Sequence, residues 1–122
     1  MNIRRLEEAF SVCRLADVSG FDPTREFCFF ARTPDEISLV CLESDVPENA
    51  EKIERGWCAF RVEGQLDFGL VGILSKITGA LASEGIPVFA VSTFDTDYIL
   101  VKQERAADAE GALAKAGYAV TR

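Results

Sequence analysis

The 122-residue sequence predicts an α+β fold built from ferredoxin-like β-α-β-β-α-β units, with antiparallel sheets and the helices on one face. Three features carry that expectation: two runs of apolar residues at helical spacing, a strand-like stretch before and after each, and a glycine closing each run.

"GWCAFRVEG", residues 56 to 64, alternates between apolar and polar positions and is bounded by glycines, as a strand requires. In "LDFGLVGILSKITGALASEG", Leu70, Leu74, Ile77 and Leu81 recur at steps of 4, 3 and 4 and form one stripe of a helix. Gly85 supplies the stop, and Pro87 prevents continuation. Two strands follow, at about 86 to 92 and 97 to 102. The second helix is expected in "ERAADAEGALAKAG", with Ala106, Ala109, Leu113 and Ala116 on one side and Gly117 as its end, and "YAVT" forms a last short strand.

In the first half, "FSVCRLA", "EFCFFAR" and "ISLVCLE" read as strands separated by "DVSGFDPTR" and "TPDE". Thr33 is placed to cap one helical turn in the latter, with Pro34 at its first position and Glu36 completing a capping box. Residues 43 to 56, "ESDVPENAEKIERG", are polar and read as a connector. The organisation is then two units: a shortened one with its connector over residues 1–55, and a full one over 56–122. The repeat rests on element order alone, with no self-similarity at the level of residues.

Composition narrows the function. No window approaches the roughly 20 uninterrupted apolar residues of a membrane span, and "MNIRRLEEAFSVCRL" has no apolar run behind its arginines of the kind a secretory leader carries. A cytoplasmic protein without membrane contact is expected. Twenty acidic against thirteen basic residues give a net charge of −7, which repels phosphate backbones, so nucleic acid is not an expected partner. The sequence contains no histidine, which removes the commonest general base and metal ligand. Cys13, Cys28, Cys41 and Cys58 lie 15, 13 and 17 residues apart, without a Cys-x-x-Cys pair, and each sits among strand-like apolar residues. Buried structural thiols, no metal, no cofactor and no catalysis are the expectation.

The chemistry concentrates at two places. Asp67-Phe68-Gly69-Leu70-Val71-Gly72 joins a strand to a helix start, where unpaired N–H groups and the helix dipole favour a carboxylate and where Gly69 and Gly72 permit close approach. Asp67 serves there as an N-cap, as an acceptor for an ammonium group, or as both. The stretch "FAVSTFDTDYILV" carries Ser92, Thr93, Asp95, Thr96 and Asp97, more polar groups than a hairpin turn needs. They read either as a hydrogen-bonded loop or as part of a binding surface.

The run "LDFGLVGILSKITGALASEGIPVFAVSTFDTDYILV" resembles the ACT domain, a small-molecule-binding regulatory module, and more narrowly the tandem-ACT group that includes small bacterial proteins and the CASTOR-type cytosolic arginine sensors. "RTPDEISLVC", residues 32 to 41, is similar to a motif of the same group. The resemblance implies a non-catalytic regulatory module that binds a small molecule, expected to be an amino acid. The ligand is held between two ACT units near the strand-helix turn, and a homodimer or another ACT unit is the implied partner. A structural oligomerisation module without a ligand is the alternative.

Overall fold

In the computed structural model, which describes residues 1–64 and 71–122, seven strands and two helices follow the chain. The order is β1 (Asn2–Leu15), β2 (Phe29–Arg32), β3 (Ile37–Leu42), β4 (Ala50–Val62), α1 (Ile73–Ser83), β5 (Phe89–Ser92), β6 (Asp97–Lys102), α2 (Ala106–Lys115) and β7 (Ala119–Thr121). The chain divides into a C-terminal unit, Met1–Glu7 with Cys58–Arg122, and an N-terminal unit, Glu8–Trp57.

In the C-terminal unit the strands run β7-β1-β4-β6-β5. A ferredoxin-like sheet places its last strand beside its first; here the start of β1 occupies that place, and Asn2, Ile3 and Arg4 pair in parallel with Ala119, Val120 and Thr121. This corrects the expectation of an entirely antiparallel sheet. Strand β1 begins at Asn2 because Ile3, fully buried, belongs to the same apolar cluster as Phe60, Val62, Ile99 and Val101. Ile77 and Leu81 of α1 and Ala106, Ala109 and Leu113 of α2 close that cluster. Each large side chain so enclosed contributes about 1.5–3 kcal/mol of transfer free energy.

The helical stripes fall largely where the spacing puts them. Leu74 packs against the core beside the buried Ile77 and Leu81, while Leu70 lies outside the described residues. On α2 the buried set is Ala106, Ala109, Ala112 and Leu113; Ala116 is the C-cap and is exposed, because the helix ends one residue before it. Both helices end in the same motif. Gly85 N–H donates to Ala82 O at 2.9 Å and Ile86 N–H to Leu81 O at 3.0 Å; Gly117 N–H donates to Ala114 O at 3.0 Å and Tyr118 N–H to Leu113 O at 3.0 Å. These crossed bonds require a left-handed residue at the first position past the cap, supplied by Gly85 (φ 68°) and Gly117 (φ 99°).

The N-terminal unit has strand order β2-β3-β1-β4. Phe10 to Arg14 of β1 pair antiparallel with Leu42 to Ser38 of β3. Its core is Cys13, Leu15, Leu39 and Cys41, with Phe21, Cys28, Val46, Ala50 and Ile53 against it. Among the described residues its only helical element is a 3₁₀ turn at Glu43–Asp45. The helical turn expected at "TPDE" is instead the tight turn of the β2-β3 hairpin. Thr33 N–H donates to Glu36 O at 3.0 Å, and Thr33 Oγ1 accepts from Asp35 and Glu36 N–H, each at 3.2 Å. Thr33 thus caps backbone donors as expected, but of a turn two strands share. The expected connector also changes character. Residues from Ala50 onward belong to β4, and within that strand Gly56 (φ 78°) donates its N–H to Glu43 Oε1 at 2.7 Å.

Self-similarity appears once the strands are paired. Phe29↔Val40 through Arg32↔Ile37 in one hairpin match Phe89↔Leu100 through Ser92↔Asp97 in the other, residue for residue at an offset of 60. Phe29 and Phe89, Thr33 and Thr93, and Asp35 and Asp95 are identical pairs at that offset. Thr93 N–H donates to Thr96 O at 2.8 Å, as Thr33 does to Glu36, and a 3₁₀ turn follows each second strand. Three identities in so short a span are invisible in the sequence until the register supplies the alignment.

Candidate functional site

Helix α1 opens after Gly72, whose φ of 76° sets the chain direction into the helix. Its first turn holds no acidic residue, and no side chain among the described residues caps it. The first helical hydrogen bond, Lys76 N–H to Gly72 O at 2.9 Å, leaves the N–H groups of Ile73, Leu74 and Ser75 ahead of the ladder, with the positive end of the helix dipole behind them. The N-cap position therefore belongs to Gly72. Asp67, Phe68, Gly69 and Leu70 lie outside the described residues; Val71 is 87% exposed.

The polar hairpin between β5 and β6 belongs to the same unit. Ser92 Oγ donates to Asp97 Oδ1 at 2.6 Å across the strand ends, and Thr93 Oγ1 donates to Thr96 O at 3.1 Å. Thr96, only 3% exposed, donates its hydroxyl to Val62 O at 2.6 Å. That bond ties the hairpin to the last residue of β4, from which the chain sets out toward α1. Ser92, Thr93, Thr96 and Asp97 thus hold the turn together and fasten it, while Asp95 is exposed at the tip beside Phe94, itself 74% exposed.

No group of three or more Cys, Asp or Glu side chains among the described residues is arranged to hold a metal. All four cysteines are free, and Cys13, Cys41 and Cys58 are buried. Burial first, then the neighbouring Cys13 thiol, pushes Cys41 up to about 12, far from thiolate at neutral pH. Burial raises Cys13 and Cys58 as well. The ion pairs of Glu110 with Arg5 and Arg122, each at 3.2 Å, serve α2. Burial opposes the charge on Glu110, but the hydrogen bonds from Arg122 and Arg5 outweigh it and lower its pKa.

What sequence reasoning missed lies in the N-terminal unit, where "DVSGFDPTR" was no more than a turn-rich joint. There Asp17 and Asp22 each accept bonds from the residue two ahead: Ser19 N–H at 2.8 Å and Thr24 N–H at 3.0 Å. A cavity lies behind these turns. The paired Asp-x-Ser and Asp-x-Thr spacing was the available signal for an ordered loop.

No curated protein matches the chain. Among solved structures, a protein from Agobacterium tumefaciens is 31% identical, with a TM-score of 0.85, covering 98% of this chain and 90% of that one. A protein of unknown function from Vibrio cholerae is 19% identical, with a TM-score of 0.68 over 94% of this chain and 88% of its own. The regulatory subunit of aspartate kinase from Thermus thermophilus shares the fold at 9% identity, with a TM-score of 0.66 over 96% and 97% of the two chains. The ACT domain family model matches residues 52–115, which span nearly all of β4, both helices and the hairpin between them. With more than half of its length matched to that model and a solved relative above 30% identity along nearly all of it, the chain belongs to the ACT domain family.

Proposed function

We propose that the chain is a non-catalytic regulatory module that binds an amino acid at the start of α1, between two ACT units. ACT domains are regulatory small-molecule-binding modules, and one of the structural neighbours is itself a regulatory subunit. The observation that carries the reading is the N-terminus of α1, which no side chain among the described residues caps: a left-handed glycine, no acidic residue in the first turn, and backbone donors that a ligand carboxylate would satisfy. Asp67 and Asp95 or Asp97 then face the ammonium group. Phe68, Gly69, Leu70, Val71 and Gly72 form the close-approach wall, and Ser92, Thr93 and Thr96 the polar edge. Residues 1–55 and 56–122 act as the two units of a tandem pair of the CASTOR-like kind in the cytoplasm, with a homodimer supplying the second face.

A thermal-shift screen against the twenty amino acids, followed by calorimetry, tests this. A ligand at about 100 times its dissociation constant adds about 2.7 kcal/mol of stability, a midpoint shift of several degrees in a domain of this size. No shift with any amino acid would overturn the reading. The second reading, an oligomerisation module without a ligand, is favoured by one observation: Val71 and Phe94, both large and apolar, are 87% and 74% exposed. Sedimentation of a Phe94→Ser variant separates the two, because a lost oligomer with an intact amino-acid shift leaves the sensor reading standing.

A further inference from the structure

Within the N-terminal unit, a cavity of about 530 Å³ opens where the other unit carries its helices, a size in the range of small-molecule sites. Leu39 and Cys41 floor it. Their counterparts sixty residues on, Ile99 and Val101, are fully buried in the cluster that α1 and α2 close. In the N-terminal unit the loop after β1 and the segment after β3 stand there instead, and they leave Leu39 and Cys41 only 2% exposed each at the bottom of the cavity. Phe21, Val46 and Cys28 make the remaining wall apolar.

The polar side of the cavity is acidic. Asp22, Asp45 and Glu48 line it against one cation, Arg25, so it carries a net charge of −2. The Asp45 side chain is only 17% exposed, yet its ion pair is Arg25 Nε at 3.9 Å, too long for a hydrogen bond. Arg25 also lies 3.6 Å from Asp22 Oδ2 and is itself 63% exposed, so these loose contacts hold it weakly. Asn49, another lining residue, donates Nδ2 to the Asp17 carbonyl and carboxylate at 3.2 and 3.0 Å, which fixes its amide; its buried Oδ1 has no hydrogen-bond partner. The negative field reaches inside: burial, then the carboxylates of Asp22 and Asp45, push the Cys28 thiol up.

We infer that this cavity is a second ligand site, distinct from the amino-acid site, which takes a small organic cation: an alkylammonium or alkylguanidinium with N–H donors for Asp45 and Asp22 and a short apolar stem against the half-buried Phe21, Cys28 and Val46. Arg25 fills the mouth as an internal stand-in for that cation. A free carboxylate is repelled by the same three acids, so zwitterionic amino acids are excluded.

Titration calorimetry of the full chain with 1,5-diaminopentane, beside 1-pentanol and pentanoate as neutral and anionic counterparts, tests the inference. Expected is a dissociation constant of about 1 mM or tighter for the diamine alone, weakening with added salt. Asp45→Asn and the exposed Glu48→Gln each weaken it, the former by about tenfold, whereas Arg25→Ala strengthens it several-fold by removing the competitor. Absence of diamine binding overturns the site. So does equal binding of the alcohol, indifference to both acid substitutions, or weaker binding by Arg25→Ala. The amino-acid thermal shift is read on the unsubstituted protein and the diamine titration scores the cavity alone, so the two proposals fail separately.

Discussion

Gly79 and Gly85 stand six residues apart in one helix and its cap, and the same substitution acts on them with opposite sign. At neither position does an added Cβ meet any atom within 4 Å, so packing drops out and only backbone conformation remains. Gly79 sits inside α1, where alanine is better than glycine by about 0.5–1 kcal/mol. Gly85 holds φ 68°, where a Cβ costs about 1–2 kcal/mol, offset by a few tenths to one from the stiffer unfolded chain. Gly79→Ala therefore gains somewhat under 1 kcal/mol and Gly85→Ala loses about 1. With a urea m-value of about 1–2 kcal/mol per molar, the two variants separate by roughly 1 M in midpoint, on either side of the parent, at unchanged m. Urea titration followed by far-ultraviolet circular dichroism is the assay, since both α-helices belong to the C-terminal unit. If both midpoints moved the same way, the left-handed cap would not be what ends α1, and the argument from Gly85 would fail.

Two further predictions concern buried groups. Thr96→Val keeps the side-chain shape but removes the buried hydrogen bond to the Val62 carbonyl, and is expected to cost about 1–3 kcal/mol in the same titration; a loss below about 0.3 kcal/mol would mean that the hairpin tether is idle. Cys41 has a folded-state pKa raised from 9.0 to about 12, so below pH 9 it costs nothing. Between those values the unfolded chain releases the proton and the folded chain keeps it, and stability falls as pH rises. Cys41→Val is expected to make the alkaline fall of the urea midpoint shallower, and a fall as steep as the parent's would refute the assignment.

The sequence was most legible where one local rule acts alone. Leu74, Ile77 and Leu81 and the paired stops at Gly85 and Gly117 follow from helical spacing and left-handed caps, and the structure has them. It was least legible where the partner is remote. Nothing near Asn2 announces a strand whose mate is Ala119–Thr121, and the charged "EKIERG" that opens β4 looks like solvent-facing connector until Ala50 and Ile53 are seen against Leu15 and Cys41. At the site, Ser92, Thr93, Thr96 and Asp97 were visible as an excess of polar groups. That Thr96 spends its hydroxyl on Val62, thirty-four residues away, is a tertiary fact that no local pattern encodes.

The parallel pairing of β1 with β7 also sets the order in which the chain acquires its structure. Ile3 pairs with Val120, more than a hundred residues further along the chain, so its neighbouring strand is made long after it. Closing so long a loop costs about 4 kcal/mol of chain entropy before any contact is made. The hydrophobic segment around Ile3 therefore waits for a distant partner strand, and docking of that strand is a slow event during which the unfinished sheet is exposed to wrong pairing.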